Sequence, residues 1–203
     1  MSNEARPLLI VVSAPSGAGK STLCHRLMVE ESGLVYSVSC TTRPPRGRER
    51  HGRDYLFLDP AEFERRVQRN LFLEHACVHG YRYGTLRATV ETVLREGRSV
   101  LMDIDVQGAA QVRHAARDPS ASDPLRQGFL DIFIVPPSLD ILRARLEARA
   151  EDAPETIACR LRNAEKELAC QPEFSHTVVN DDLEKAYARF RSIIQTARGP
   201  APA

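Results

Sequence analysis

The fold is decided by residues 8–22, LLIVVSAPSGAGKST, in which a short apolar run leads into a glycine-rich loop. The run from Leu8 to Ser13 is rich in β-branched residues and is bounded by Pro7 and Pro15, which is typical of a buried parallel strand. A helical pattern follows from Gly19 to about Glu30. A strand, a glycine-rich loop and a helix in this order predict a phosphate-binding loop, or P-loop.

The glycine-rich loop supplies groups that bind a nucleoside triphosphate. Gly17 and Gly19 allow successive backbone N–H groups to turn inward at a helix N-terminus. Lys20 then reaches the β- and γ-phosphates, and the Ser21 hydroxyl ligates Mg²⁺. Ala14 replaces the first glycine of the usual pattern, where a small residue suffices. The predicted ATP-binding residues of the loop are Ser13, Ala14, Pro15, Ser16, Gly17, Ala18, Gly19, Lys20, Ser21 and Thr22.

The composition of the basic residues singles out one lysine. The chain has 203 residues and 28 basic side chains, of which three are lysines: Lys20, Lys166 and Lys185. Lys20 is thus isolated in an arginine-rich chain, which favours a site that needs a compact point charge over an ordinary turn with a surface lysine. The net charge of +1 excludes the strong positive field of a protein that binds nucleic acid without sequence preference.

The sequence indicates a cytoplasmic protein that does not bind membranes. No apolar run approaches the roughly 20 residues of a membrane span, and the opening MSNEARP lacks the features of a secretory signal. The five cysteines are scattered and form no CxxC pair, so they are interpreted as reduced structural thiols. A homo-oligomer is compatible with the sequence.

Strand and helix patterns alternate along the rest of the chain, which predicts an α/β fold with a central parallel sheet covered by helices on both faces. The expected helix caps are Asp59, Thr85, Ser138 and Asp182. Residues 118–128 are predicted to form a loop that is either inert or an interface. Strands are predicted over residues 36–39, 55–58, 99–104, 129–135 and 177–179, with an extended stretch over 71–83, and helices over residues 61–70, 85–96, 107–117, 138–150 and 154–169 and from residue 182 onward.

An acidic group follows the apolar strand of residues 99–104. The segment VLMDID offers Asp103 and Asp105 where a P-loop protein needs a carboxylate to hold the water shell of its metal ion. A solvated aspartate at a strand end is the alternative. Combined with Lys20 and Ser21, the two aspartates predict an Mg²⁺ site in which the ion accompanies ATP and is held mostly through water.

An arginine-rich stretch, residues 37–57, follows the second predicted strand. It is either a solvated run of charges or a clamp for an anion. Arg43 and Arg46 are the better clamp candidates, because the prolines between them stiffen the loop and hold the two guanidinium groups at a fixed distance. The solvated alternative suits Arg48, Arg50 and Arg53.

The sequence closely resembles the guanylate kinase family. The resemblance rests on SAPSGAGKST, on TTR-x-PR within residues 37–57, on FLE followed by YRYGT, on MDIDVQG, on IVPPS and on VVNDD. It implies a P-loop kinase of one domain, residues 1–203, with three parts. These are a core (about 1–36, 85–140 and 170–203), a GMP-binding insertion (about 37–84) and a helical lid (about 141–169).

The resemblance also implies roles for individual residues. The acceptor phosphate is expected at Arg43, Arg46, Tyr55 and Tyr83, and guanine at Ser39, Glu74, Thr85 and Asp103. The expected catalytic residues are Lys20, Arg43 and the lid arginines Arg145, Arg149 and Arg160, and Asn180 is expected on the adenine side of ATP. The implied reaction is transfer of the γ-phosphoryl group of ATP to GMP or dGMP.

The hydrogen-bonding groups of guanine support the role of Glu74 in binding the base. Guanine presents N1–H and its N2 amino group as adjacent donors, which suit a carboxylate, whereas adenine places an acceptor against it. The GMP phosphate is largely dianionic near neutral pH because its second ionisation lies near 6, so no general base is expected.

Two other functions remain open at this point. One is a non-catalytic interaction domain that binds phosphopeptides, and the other is a P-loop kinase for a phosphorylated sugar. Lys20 and Ser21 argue against the first, and Glu74, Ser39 and Tyr83 against the second. His75, Cys77 and His79 alternate along the extended stretch, where packing or chance explains them better than a metal site does.

Overall fold

A computed structural model describes residues 6–78, 80–148 and 154–199. The strands within these ranges are β1 (Leu9–Ser13), β2 (Leu34–Tyr36), β3 (Cys40–Thr41), β4 (Leu56–Phe57), β5 (Phe72–Val78), β6 (Tyr81–Leu86), β7 (Ser99–Asp103), β8 (Phe129–Val135) and β9 (His176–Val179). The helices are α1 (Lys20–Glu30), α2 (Pro60–Gln68), α3 (Arg87–Arg95), α4 (Val106–Arg117), α5 (Asp123–Gln127), α6 (Leu139–Ala148), α7 (Pro154–Ala169) and α8 (Leu183–Arg198), and a 3₁₀ turn spans Gln171–Glu173.

The main sheet is entirely parallel, with strand order β2-β7-β1-β8-β9. All five residues of the central strand β1 are buried. Ile10 and Val12 pack in one core cluster with residues of α1 and α8, while Leu9 and Val11 pack in another with residues of α3 and α4. Helices therefore cover both faces, which confirms the predicted α/β fold.

The second sheet has four strands in the order β4-β3-β6-β5. Its small core contains Cys40, Phe63 and Phe72, and the last two rings stack with centroids 4.6 Å apart. Helix α2 supplies Phe63 and begins at Asp59, whose side chain accepts a hydrogen bond of 2.9 Å from the backbone N–H of Glu62. This sheet presents the acceptor-site candidates to the carboxyl end of the main sheet.

Two local predictions are wrong because tertiary pairing outweighs the local pattern. The second strand lies at Leu34–Tyr36 rather than over residues 36–39, since the chain leaves the main sheet after Ser37, whose N–H still bonds to Leu101. Thr85 does not cap α3. It lies inside β6 opposite Glu74, and α3 follows Leu86, which has extended backbone angles and no side-chain cap bond.

Residues 118–128 are not a plain loop, because they contain α5. Leu125 of this helix is fully buried in the core cluster that also contains Val90 and Leu94 of α3. The segment thus contributes to the core beside α3, so it has a structural role in the fold.

Gly128 follows α5 at a position where the surrounding backbone leaves no room for a side chain. A Cβ atom there would lie 2.5 Å from the carbonyl oxygen of Pro7 and 2.9 Å from that of Pro124. We expect Gly128→Ala to lower the free energy of unfolding by about 1–3 kcal/mol, because backbone atoms must move. Gly33→Ala is the matched control, since nothing lies within 4 Å of its added Cβ. Urea denaturation measures both, and equal midpoints would contradict the steric account.

Helices α6 and α7 pack together through Leu142, Leu146, Leu161 and Ala164. The Ser138 hydroxyl accepts a hydrogen bond of 3.2 Å from the N–H of Ile141, as expected of a cap. In the ranges that the structure describes, no helix has both the length and the apolar character needed to cross a membrane.

Candidate active site

The P-loop connects β1 to α1 at the carboxyl end of the main sheet. Gly17 and Gly19 have φ angles of 91° and 94°, which disfavour any residue with a side chain. Gly19 precedes α1, and no side chain caps this helix. Its N-terminal N–H groups are therefore available to an anion in the adjoining cavity of about 450 Å³.

Lys20 is held between the P-loop and the end of β7. Its ammonium group forms an ion pair with Asp103 and donates a 3.0 Å hydrogen bond to the carbonyl oxygen of Ile104. Both side chains of the ion pair are largely buried. The ammonium group of Lys20 thus lies where the P-loop cavity meets a second cavity, between the two sheets, which is described below.

The side chain of Asn180 is hydrogen-bonded to the backbone of the P-loop. Its Nδ2 donates a 2.7 Å bond to the carbonyl oxygen of Ala18, and a Cβ atom on Gly19 would lie only 2.2 Å from that nitrogen. Arg145 in turn donates a 2.8 Å bond from Nη2 to the carbonyl oxygen of Asn180. The sequence predicted a nucleotide contact for Asn180, and this scaffolding contact was missed.

The helical pair approaches the P-loop through α7. Glu167 accepts a hydrogen bond from the backbone N–H of Ser16, and its pKa is raised mainly by burial. Arg160 lines a cavity of about 400 Å³ between α7 and the P-loop, to which Ser16 and Glu167 also belong. Arg149, predicted to be catalytic, lies outside the described residues, as does His79.

A further cavity of about 170 Å³, which we call the inter-sheet cavity, lies between the two sheets. It brings together most of the residues predicted to bind the acceptor. Its lining includes Ser39, Tyr55, Glu74, Tyr83 and Asp103, along with Lys20, Tyr36, Ser37, Asp54, Ala76, Val78, Ile104 and Asp105. The inter-sheet cavity and the P-loop cavity share six lining residues, so a donor and an acceptor can meet there. These are Lys20, Tyr36, Tyr55, Val78, Asp103 and Asp105.

The predicted clamp arginine Arg43 is buried and already engaged. Its Nη1 and Nη2 donate to the two carboxylate oxygens of Glu49 at 3.0 and 2.9 Å, and Glu49 also accepts a 2.7 Å bond from the N–H of Arg46. Arg43 lowers the pKa of Glu49 below its usual value, and the Arg46 N–H adds to this effect. The sequence analysis gave Glu49 no role, although it lies in the arginine-rich stretch of residues 37–57.

Aromatic rings border the clamp. The guanidinium carbon of Arg43 lies 5.3 Å from the ring centroid of Tyr55, whose ring is 6.1 Å from that of Tyr83. The Arg46 side chain is exposed to solvent. The same is true of Arg48, Arg50 and Arg53, as expected of a solvated charge run.

Glu74 lines the inter-sheet cavity and is 3% exposed. Burial raises its pKa to about 7, although hydrogen bonds from the hydroxyl and N–H of Thr85 act in the opposite direction. The Ser39 and Thr85 hydroxyl oxygens are 3.4 Å apart. Three of the four predicted guanine-binding residues therefore form one cluster, and Asp103 lines the same cavity as Glu74.

The predicted Mg²⁺ residues Ser21, Asp103 and Asp105 all line the P-loop cavity. Asp105 also caps α4, accepting a 2.8 Å bond from the N–H of Gly108. Hydroxyl and carboxylate oxygens are the donors that Mg²⁺ prefers, so the set fits this ion. No group of three or more His, Cys, Asp or Glu side chains within the described ranges is arranged to hold a metal, so phosphate oxygens of the nucleotide would have to complete its coordination.

Comparisons with known proteins agree with this arrangement. A family model for guanylate kinase matches residues 6–197. The chain is 45% identical to a guanylate kinase of Polaromonas sp. over 94% of this chain and 87% of that protein. It is 43% identical to one of Bacteroides thetaiotaomicron over 92% and 88% of the respective chains. The crystal structure of guanylate kinase from Anaplasma phagocytophilum, 30% identical, covers 98% of this chain and 90% of its own with a TM-score of 0.75. This chain belongs to the guanylate kinase family.

Proposed function

We propose that this chain transfers the γ-phosphoryl group of ATP to GMP, forming ADP and GDP, and that dGMP is a second acceptor. The observation that carries the proposal is the buried Glu74 carboxylate, which shares a cavity with the lysine of the P-loop. A carboxylate accepts hydrogen bonds only, so it selects a base with two adjacent donors. Guanine has them in N1–H and the N2 amino group.

Base selection follows from the cost of leaving polar groups unpaired. Adenine would turn a ring nitrogen acceptor toward Glu74, and the carboxylate lone pairs that face the base would stay unpaired at a cost of about 1–3 kcal/mol or more. Sites built around such a hydrogen bond reject the wrong substrate strongly. The hydroxyl groups of Ser39 and Thr85, next to Glu74, provide further polar contacts for the base.

The reaction needs positioning and charge neutralisation rather than a base. The acceptor phosphate is already ionised near neutral pH, and an in-line attack requires the two phosphates to be held end to end. Arg43 and Tyr83 hold the acceptor phosphate at one side, and Lys20 neutralises the transferred group at the other. Ser21, Asp103 and Asp105 would hold the Mg²⁺ that accompanies ATP, and the ion would supply positive charge to the triphosphate.

The helical pair α6–α7 is assigned the role of a lid. Arg160 lines the cavity between α7 and the P-loop, and Arg145 bonds to Asn180, which contacts the P-loop. In the closed lid these guanidinium groups stabilise the charge of the transferred phosphoryl group. Closure of this pair over ATP excludes water, which otherwise competes with GMP as the acceptor.

GMP binding is expected to weaken below about pH 7, where Glu74 of the free protein becomes protonated. A protonated carboxyl cannot accept from both guanine donors, so the dissociation constant should rise about tenfold per pH unit below that pKa. Calorimetric titration with GMP between about pH 5.5 and 8.5 measures this dependence. The phosphate of GMP adds a separate step near 6. Glu74→Gln should remove the change in GMP affinity near pH 7 and keep the change near pH 6 that the GMP phosphate causes. A wild-type dissociation constant that does not vary above about pH 6.5 would contradict the role of Glu74 in binding guanine.

A coupled assay with ATP, Mg²⁺ and a panel of acceptors tests the proposed function. We expect turnover with GMP and dGMP and little with AMP, UMP or ribose phosphates, and loss of turnover when the metal is chelated. Turnover with a sugar phosphate in place of GMP would indicate a different kinase. Binding of an acidic phosphopeptide without any transfer would indicate an interaction domain.

A further inference from the structure

The edge strand β5 is hydrogen-bonded to helix α4 through the side chain of Gln111. β5 lies at the end of the second sheet, with β6 as its partner in that sheet. On its other edge, Gln111 of α4 accepts a 3.1 Å hydrogen bond from the N–H of His75 through Oε1 and donates a 2.8 Å bond from Nε2 to the carbonyl oxygen of the same residue. The amide of Gln111 thus takes the place of a neighbouring strand at the residue that follows Glu74.

The pairing of β5 with β6 is irregular at this place. Phe72 pairs with Leu86 and Glu74 with Thr85, so the register shifts between Phe72 and Glu74. A bulge of this kind redirects the side chain beside it. The direction of the Glu74 carboxylate therefore depends on how the strand is fixed next to the bulge, and Gln111 makes that contact.

The same face of α4 makes room for the carboxylate. Gly108 lies three residues before Gln111 and hence on the same helix face. A Cβ atom on Gly108 would lie 2.6 Å from Oε2 of Glu74. Together, Gly108 and Gln111 form a seat for Glu74, which we name the α4 seat: the glycine leaves the space and the glutamine fixes the strand.

We propose that Gln111 is a positioning residue for guanine selection, which acts by holding β5 so that the Glu74 carboxylate faces the base. The inference rests on the proposed function, since it concerns the acceptor of that reaction. Gln111 itself need not touch the nucleotide. Because the seat belongs to the main core while Glu74 belongs to the second sheet, it also ties the acceptor site to the P-loop side of the protein.

Gln111→Met tests the proposal, since it keeps the length of the side chain and removes both hydrogen bonds to His75. We expect KM for GMP to rise about tenfold while KM for ATP stays unchanged. The preference for GMP over IMP, which lacks the N2 amino group, should fall in parallel. Gln195→Met, at an exposed glutamine of α8, is the matched control and should retain both values.

Two further measurements separate positioning from general damage to the fold. In a Glu74→Gln background, Gln111→Met should cause little additional loss, because the two residues act through the same contact. Gly108→Ala should also lower the GMP to IMP preference, because its Cβ atom would displace the Glu74 carboxylate without touching the hydrogen bonds of Gln111.

Each outcome decides the proposal. If the wild-type chain phosphorylates GMP and Gln111→Met retains the GMP to IMP preference, Gln111 has no positioning role and the proposed function stands. Losses of GMP and IMP turnover in equal proportion, or additive losses with Glu74→Gln, also overturn it. If the wild-type chain does not phosphorylate GMP, the proposed function itself fails.

Discussion

Lys20→Ala is expected to lower kcat for phosphoryl transfer by about 10²–10³-fold, the range found when one preorganised charge-stabilising donor is removed from an active site. The ammonium group lies at the junction of the two cavities, held by Asp103 and the carbonyl oxygen of Ile104. Its loss leaves the developing charge on the transferred phosphoryl group without its compact cation. The measurement is steady-state turnover at saturating ATP and GMP.

The matched control is Lys185→Ala, at an exposed lysine on α8, which should keep wild-type turnover. Lys20→Arg should remain strongly impaired, because a planar guanidinium does not replace a point charge in this space. Turnover of Lys20→Ala within about tenfold of wild type, a change of only ~1.4 kcal/mol, would contradict the role assigned to Lys20.

Glu74→Gln is expected to lower kcat/KM for GMP by about 5- to 150-fold, which corresponds to 1–3 kcal/mol. The amide places an NH₂ group against the guanine donors, so at least one donor stays unpaired. The preference for GMP over IMP should fall in the same variant. Acceptor kinetics with both nucleotides measure the effect, and Glu96→Gln, at an exposed carboxylate, is the control.

The same substitution should stabilise the unliganded protein at alkaline pH. The pKa of Glu74 is raised from its usual value of 4.5 to about 7 in the folded state, so the wild-type fold loses stability between these two pH values and the loss is complete above the higher one. The sign is that of an acid with a raised pKa: stability is complete below the unfolded pKa and is lost as the pH rises toward 7. We expect Glu74→Gln to be more stable than wild type at about pH 8, on the order of 3 kcal/mol, and the gain to vanish below about pH 4.5.

Either of two results contradicts this account of Glu74. One is a kcat/KM for GMP within about threefold of wild type, since that is less than a single lost hydrogen bond. The other is a stability difference between variant and wild type that does not change with pH.

Features that depend on neighbouring residues were predictable from the sequence. The P-loop, with its left-handed glycines, is encoded in ten consecutive residues. The helix caps Asp59, Ser138 and Asp182 were predicted correctly because a cap bonds to an N–H only three residues away. Strand β8 begins and ends where its apolar run does.

Features that depend on distant contacts were not predictable in the same way. Thr85 has the local pattern of a helix cap, but pairing of β5 with β6 places its hydroxyl beside Glu74. Asn180 lies 162 residues from its partner Ala18. Gln111 and His75 are separated by 36 residues and meet only because α4 packs against the edge strand.

The account is tested most directly by following the γ-phosphate of labelled ATP. The purified chain is incubated with γ-labelled ATP, Mg²⁺ and GMP, and the products are separated. The account predicts that the label appears in GDP, that formation of labelled GDP requires GMP, and that it is nearly abolished by Lys20→Ala. Label that appears only in inorganic phosphate, or that remains in ATP while GMP is unchanged, would contradict it.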